Sequence, residues 1–472
     1  MSFQFFHPYE TPNFIAALAM FLWIPFVFWL FRAFPSQRAI VIAFITGALF
    51  LPETQLVIPG FPDYTKISAT SYAVLIFTFL FDGQRIRQFR LQWLDMPMLV
   101  WCICPFFTTL ANDLGLYDAI SFTLEQTMKW GVPFFLGRIY LNDLVGLRNL
   151  AIGIFAGGVV YIPLCLFEMR MSPKLHIMLY GGFPHGMFAQ AVRMGGYRPV
   201  VFTGHGLILS FIMIAALTVG VWLWKTGVLK EIFRIPMAVV IPIFFLTDMF
   251  LRSTGAYITL GVALALLFTS VLIFRSNFLV YLVIASTVIY LYLVITPDTP
   301  TITTSIIDFL SKYLAPDRIG SLQFRFDNEA VLLGKAKLRL LLGWGGYGRN
   351  FVTNEVGQAT TTVDSLWIIT LGSLGLLGLS ALLSSILLPV VSLINTKCPV
   401  KVWDRVEFAA PGALALVLLM YSVEILVNAP VLPHITLITG ALTGYVLAPA
   451  SRRYPLAHRG KLVVQNSTSS PV

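Results

Sequence analysis

Charge is scarce in this chain: Asp, Glu, Lys and Arg make up 11% of its 472 residues, while 57% are hydrophobic. Soluble domains carry about 25% charged residues. A water-soluble fold of this length has too little polar surface to cover so much apolar matter, so the solvent is a lipid bilayer. Cysteine is also sparse. Cys102 and Cys104 share one apolar run, Cys165 lies in another and Cys398 in a short basic loop. Cysteines so scattered exclude a disulfide framework, and the C-x-C pair has no second half for a zinc site. The histidines show no metal-ligand spacing; His176 and His185 in "LHIMLYGGFPHG" come nearest. No internal repeat is visible, and Lys129 is the main charge near the middle of an apolar run, which speaks against a transporter or flippase. The N-terminus, "MSFQFFHPYETPN", has no basic region ahead of the first apolar run, so no cleavable signal peptide is expected.

What the chain does have is apolar runs from end to end. Candidate spans fall near 13–33, 38–52, 67–82, 95–111, 119–137, 149–168, 200–224, 235–251, 255–274, 277–296, 366–394, 408–428 and 431–449. The run 38–52 is short and reads as either a span or a re-entrant segment. The expected fold class is all-α, a polytopic integral membrane helical bundle of about 12–13 spans. The formal charge of +10 calls for no nucleic-acid partner, because much of it lies in short loops, where it sets topology. Arg32, Arg38, Arg85, Arg87, Arg138, Arg148, Lys225, Arg275, Lys401 and the tail arginines fall on one face if every run spans. That face is cytoplasmic, the N-terminus outside and the C-terminus inside.

The expected organisation is therefore N-terminal helices over 1–168, an outer loop at 169–199, central helices over 200–296, a large outer loop at 297–365, C-terminal helices over 366–449 and a cytoplasmic tail, 450–472. Glu168, Asp248, Arg252 and Glu424 lie near the outer ends of spans. Intramembrane charge is costly and marks polar cavities, although Asp248 and Arg252, four apart, also fit a simple helical pair.

Four motifs stand out on the outer side. In "FRFDNEAVLLGKAKLRLLLGWGGYGRN", the stretch from Gln323 to Leu342 has helical periodicity. Arg325, Asn328, Glu329, Lys335 and Arg339 fall on one expected face and Phe324, Phe326, Val331, Leu333, Leu338 and Leu341 on the other. This is an amphipathic helix, lying on the membrane surface or covering a site. "GWGGYG", Gly343 to Gly348, is no dinucleotide fingerprint, since it follows a helix rather than a strand. Its glycines suit a phosphate cradle with Arg349 beside it, or a tight turn packed by aromatics. "RMGGYRPVVFTGHG" carries Arg193 and Arg198 into an expected span, with His205 about two turns down it. "TTTVDSLWIITLGSLGLLG" places Asp364 at the mouth of a span, as a functional acid or as a helix N-cap. Its small residues Gly372, Ser373, Gly375 and Gly378 suit close helix packing.

In this order and sidedness the motifs resemble the O-antigen ligase and O-antigen polymerase family of bacterial envelope glycosyltransferases, best over Arg193–Gly206 and Arg325–Gly378. The resemblance implies a GT-C-like membrane fold in the bacterial inner membrane, with its active site on the periplasmic or exterior side. Its donor is a glycan linked to undecaprenyl diphosphate; other polysaccharide-assembly proteins and membrane lipids are further partners. It implies no nucleotide sugar, no cofactor and no metal. The family's outer-loop arginines fall here on Arg193 and Arg325, and with Arg198 and Arg349 they are the expected diphosphate-binding set. Asp364, Glu329 and His205 are candidate proton acceptors, Asp364 foremost; Tyr197, Trp344, Tyr347 and Trp367 are candidate sugar platforms. Ligases tend to carry a histidine motif before the late glycine-rich span, where this chain has Asp364-Ser365. That departure favours polymerisation of O-antigen or exopolysaccharide repeat units over ligation to a lipid A core.

Overall fold

A computed structural model describes residues 12–56, 63–184, 188–296, 301–313, 316–346, 348–353, 360–362 and 364–449. Tyr347, His185 and the tail 450–472 lie outside the described residues. In chain order the helices are α1 (Phe14–Ala33), α2 (Ser36–Phe50), α3 (Lys66–Arg87), α4 (Met96–Leu110), α5 (Leu116–Gln126), α6 (Val132–Tyr140), α7 (Leu144–Met171) and α8 (Leu175–Tyr180). There follow α9 (Gly206–Lys225), α10 (Met237–Met249), α11 (Thr254–Phe268), α12 (Phe278–Ile295), α13 (Thr301–Leu310), α14 (Pro316–Lys337), α15 (Leu366–Thr396), α16 (Ala409–Glu424) and α17 (Pro433–Leu447). Two-residue strands form three antiparallel hairpins: β1 (Gln55–Leu56) with β2 (Tyr64–Thr65), β3 (Val192–Arg193) with β4 (Gly196–Tyr197), and β5 (Glu231–Ile232) with β6 (Ile235–Pro236).

Among the described residues, 7 helical stretches are long and apolar enough to cross a membrane. The other apolar runs are shorter or interrupted. The run at 119–137 is α5, a π-helical turn over Thr127–Gly131, then α6. The run at 38–52 is the 15-residue α2, about 22 Å long at 1.5 Å per residue. Its first residue bonds Asp82 at the end of α3, and the carbonyl of its last accepts from the Tyr180 hydroxyl at 2.7 Å. It thus joins the two ends of the bundle rather than returning to one.

The bundle's ends are distinct. At one, Trp222 Nε1 donates to the Trp403 carbonyl (3.1 Å), Arg148 to the Val228 carbonyl (2.9 Å) and Lys397 to the Ala448 carbonyl (3.3 Å). Arg138 is buried there against Asp95 at 3.0 Å. The other end gathers the β3–β4 hairpin, the starts of α9, α15 and α17, and α14. Between them α9 and α16 are buried on nearly every side, which is why these helices are apolar all round. At the periphery α12 leaves Phe278, Leu282, Val288, Ile289 and Tyr292 bare. A shell of this kind needs an apolar solvent.

The closest helix contact is between α6 and α17. A Cβ on Gly440 would overlap the Phe134 carbonyl and lie 3.0 Å from Arg138 N; one on Gly444 would lie 2.7 Å from the Arg138 carbonyl. Gly440 and Gly444 are a small-xxx-small pair, the spacing that lets helix backbones meet in lipid. Gly440→Val is expected to destabilise the protein by about 3 kcal/mol, since a rigid backbone cannot move aside. The thermal midpoint of detergent-solubilised protein tests this: an unchanged midpoint would rule out the contact.

Candidate functional site

Two separated segments build the site. In the first, Met194 and Gly195 turn the β3–β4 hairpin with φ of 49° and 69°, the sign that a tight two-residue hairpin loop requires. Arg252 lies beyond the end of α10. Its Nη1 donates to the carbonyls of Arg193 (2.9 Å) and Met194, clamping the turn. A Cβ on Gly196 would come within 2.7 Å of that nitrogen, and one on Gly206 within 2.8 Å of Arg198 Cγ. Two glycines of the motif are thus seats for arginine side chains.

The segment between these glycines is held by Glu168 at the end of α7. Its Oε2 accepts from the N–H groups of Val200 (2.8 Å) and Val201 (2.7 Å), and its Oε1 from Leu175 N at 2.9 Å. The outward carboxylate in this span is therefore an anchor for the arginine loop. The helical pair Asp248–Arg252 does not form: α10 stops at Met249, Arg252 turns to the hairpin, and both Asp248 carboxyl oxygens are buried without a hydrogen bond among the described residues.

The second segment is α14, which begins and ends earlier than its periodicity suggests. Its buried residues include Phe326, Glu329, Leu332, Leu333 and Ala336, of which Leu332, Leu333 and Ala336 pack in one cluster with Trp367, Ile368 and Leu371 of α15. Phe324, Val331 and Leu338 are exposed instead. The expected partition of faces is corrected here. Glu329 stands three and four residues from Phe326 and Leu333, so helical geometry puts it on their side. Arg325 points the same way. Its Nε lies 3.3 Å from Asp364, and its Nη1 donates to the Val427 carbonyl at 3.0 Å and toward Asn428 Oδ1 at 3.4 Å. Asn428 in turn donates to Glu424 at 2.7 Å.

These segments converge. Arg193 lies within electrostatic range of Arg318 and Arg325, and Arg198 within range of all three. Arg198 is 3% exposed; its Nη2 donates to the Arg252 carbonyl at 3.0 Å, while Nε and Nη1 are buried with no hydrogen-bond partner among the described residues. Burial first, then the three like charges, lowers its pKa to about 9. Arg193 is lowered by burial and by Arg318 and Arg325. Among the described residues no carboxylate forms an ion pair with Arg193, Arg198, Arg252 or Arg318. Gathered cations with orphaned N–H donors are costly alone and are relieved by a polyanion. Arg252 and Arg318 are additions to the expected set; Arg252 was readable only as a charge near the outer end of a span or a partner of Asp248, and Arg318 only as one cation of the large loop.

Arg349 stays outside the cluster, exposed and beside Lys335, whose pKa it lowers together with burial. The first residues of the glycine turn serve the protein's own backbone. At Gly375 helix α15 breaks (φ 67°, ψ −166°), and the turn repairs the break. Leu376 N donates to the Leu340 carbonyl (2.8 Å) and Leu377 N to Leu341 (3.2 Å). Trp344 N and Gly345 N donate back to Gly372 and Ser373, both at 2.9 Å. The N–H groups of Trp344 and Gly345 are thus spent on protein, as the tight-turn alternative expects.

The other candidates separate clearly. Trp344 donates its indole N–H to the Lys335 carbonyl at 2.9 Å, and Lys335 and Arg339 lie over its ring, so cations occupy the surface expected to meet sugar. Trp367 is 0% exposed and presents no face to a ligand. Tyr197 is half-buried on β4 beside Arg198. His205 is not two turns into a span, because α9 starts at Gly206; it caps the helix. Its Nδ1 accepts from Leu207 N at 3.0 Å, and its Nε2 lies 3.1 Å from Gln190 Oε1. With both nitrogens engaged it is a structural residue.

Asp364 is 41% exposed and ion-paired with Arg325, and Ser365 takes the N-cap position of α15. Glu329 is buried and accepts a hydrogen bond from Ser365 Oγ. Burial raises its pKa to about 7; the hydrogen bond of Ser365 and the charge of Arg325 only partly oppose this. In comparisons with known proteins, the chain matches no family model and no curated protein.

Proposed function

We propose that this protein is a membrane glycosyltransferase that polymerises O-antigen or exopolysaccharide repeat units from an undecaprenyl-diphosphate-linked donor. The arginine end of the bundle faces the periplasm or exterior of a bacterial inner membrane, with the N-terminus outside and the C-terminus inside. The observation carrying this reading is the convergence of Arg193, Arg198, Arg318 and Arg325 from two distant segments, with two guanidinium nitrogens of Arg198 unpartnered among the described residues. A diphosphate is the ligand such a cluster suits: guanidinium forks bind phosphate oxygens in pairs. The bare apolar periphery of the bundle supplies a surface for a polyprenyl tail.

In the reaction an acceptor hydroxyl oxygen bonds to the anomeric carbon of the donor glycan. The bond from that carbon to the diphosphate oxygen breaks, and the electron pair leaves with the lipid diphosphate. Arginines placed in advance stabilise the growing negative charge. The hydroxyl proton passes to Glu329, whose pKa near 7 lies close to the operating pH, where a general base is most effective. Asp364 orients Arg325. This division of roles moves the base from Asp364, foremost in the sequence reading, to the buried carboxyl.

Product sizing after reconstitution with a lipid-diphosphate oligosaccharide tests the reading. Longer glycans support it; transport into vesicles without new glycosidic bonds would instead mark a transporter. A deletion strain separates the two transferases: single repeats on the acceptor indicate a lost polymerase, long chains stranded on the carrier lipid a lost ligase. For Glu329 the expected kcat/KM rises with pH through about 7, because only the ionised carboxylate accepts a proton. Glu329→Gln is expected to remove that limb and cost about 10²–10⁴ in rate. The sign for stability is opposite. A carboxyl raised from 4.5 to about 7 favours the protonated fold, so stability falls as pH rises across that window, and less steeply in Glu329→Gln.

A further inference from the structure

A second chamber adjoins the arginine cluster and belongs to none of the roles above. Its volume is about 280 Å³, and it is lined by Glu53, Lys66, Ile67, Thr203, Ile208 and Leu432, among others. Lys66 Nζ lies 3.1 Å from Glu53 Oε1 and donates to the Phe202 carbonyl at 2.6 Å. Lys66 is buried, whereas the Glu53 side chain is 32% exposed and so within reach of a ligand. Glu53 is itself fixed, since its N–H donates to His176 Nε2 at 3.1 Å. Two of the chamber's walls continue along the chain into segments of the arginine site. Gly204 lines it while Arg198 leads into the same loop; Ala429 and Val431 line it just beyond Val427 and Asn428, which hold Arg325.

We infer that this chamber binds one uncharged sugar ring, the ring of the acceptor, with Glu53 as its specificity-determining residue; the acceptor role rests on the glycosyl-transfer reading. Size is the first argument. Small-molecule pockets begin near roughly 300 Å³, so the chamber takes about one ring and not an oligosaccharide. Charge is the second. The lysine and glutamate neutralise each other, so the chamber offers no net field for an anion, in contrast to the arginines next door. Wall chemistry is the third. Ile67, Ile208, Ile212, Leu432 and Pro433 give an apolar surface to the C–H face of a ring, and the Glu53 carboxylate accepts from ring hydroxyls. A polar edge and an apolar face in one pocket are what a pyranose presents.

The test uses full-length protein in nanodiscs. Saturation-transfer NMR with methyl glycosides of common hexoses and N-acetylhexosamines reads binding without any donor. Steady-state transfer reads KM for acceptor and for donor lipid separately. Glu53→Gln is expected to raise the acceptor KM about tenfold or more, as loss of a charge-assisted hydrogen bond does, with the donor KM unchanged. Because Glu53→Gln also strips buried Lys66 of its partner, Ile208→Trp provides a second variant that fills the chamber and keeps the ion pair. It is expected to abolish glycoside binding. If no glycoside binds the wild type, or binding survives Ile208→Trp, the chamber is not a sugar site. Transfer in which only the donor KM responds to these variants would equally overturn it. A wild type that binds glycoside here, is blocked by Ile208→Trp and transfers nothing would uphold the sugar site and sink the transferase reading.

Discussion

On the proposed reading, Arg325→Ala is expected to cut glycan transfer about a thousandfold while the protein still inserts. Loss of one preorganised donor to a developing anion costs about 10²–10³ in rate. Arg325 adds a second effect, since it joins α14 to Asp364 and to the Val427–Asn428 loop. Without it Asp364 loses its cation and α14 its tie to the Val427–Asn428 loop. Arg325→Lys should be intermediate, because an ammonium keeps the charge and loses the fork. Arg193→Ala should match Arg325→Ala, as both contribute to one cluster. Arg349→Ala should leave turnover nearly unchanged, since Arg349 stands outside it beside Lys335. Sizing of products from a lipid-diphosphate oligosaccharide decides among these; wild-type glycan length in the Arg193 and Arg325 variants would refute the shared site.

Gly375→Val is expected to stop activity as completely, through the backbone. Gly375 sits at φ 67°, ψ −166°, a region open essentially to glycine. A Cβ there would overlap the Leu341 carbonyl and lie 2.6 Å from Leu342 N. The strand of chain from Leu340 to Gly345 would have to withdraw, taking with it four backbone hydrogen bonds that satisfy the broken helix. In lipid each orphaned group costs several kcal/mol. Since Leu340 directly follows α14, the withdrawal also releases the helix carrying Arg325 and Glu329. Limited proteolysis between α14 and α15 gives the measurement: faster cleavage in the variant is expected, and an unchanged pattern with normal transfer would dismiss the role.

Much of the helical plan was legible in the sequence because lipid makes a simple demand. Runs such as 206–225 and 278–295 are apolar on all sides, and their composition alone marks them as helices in a bilayer. The arginine-bearing stretches at 193–198 and 318–325 were visible as charge where charge is rare. The local reading failed where a neighbour's backbone set the outcome. "GWGGYG" looked like a loop offering N–H groups to phosphate, yet a helix break in α15 about thirty residues later in the chain takes those of Trp344 and Gly345. Glu329 looked like part of a solvent-facing charged face, yet it is buried and bonded by Ser365. Trp344 and Trp367 looked like free platforms, and packing had already claimed both. The glycine pair Gly440 and Gly444 carried a readable spacing whose partner, α6, lies three hundred residues away.

The sequence by itself determined the solvent, the helices and the scarcity of charge, because the cost of exposing polar backbone or charge to hydrocarbon acts residue by residue. Only the tertiary structure decided which charges meet. Arg193, Arg198, Arg252, Arg318 and Arg325 come from segments separated by up to about 130 residues. Their proximity depends on helix contacts, glycine seats and a carboxylate anchor at Glu168, none of which any single stretch of sequence contains.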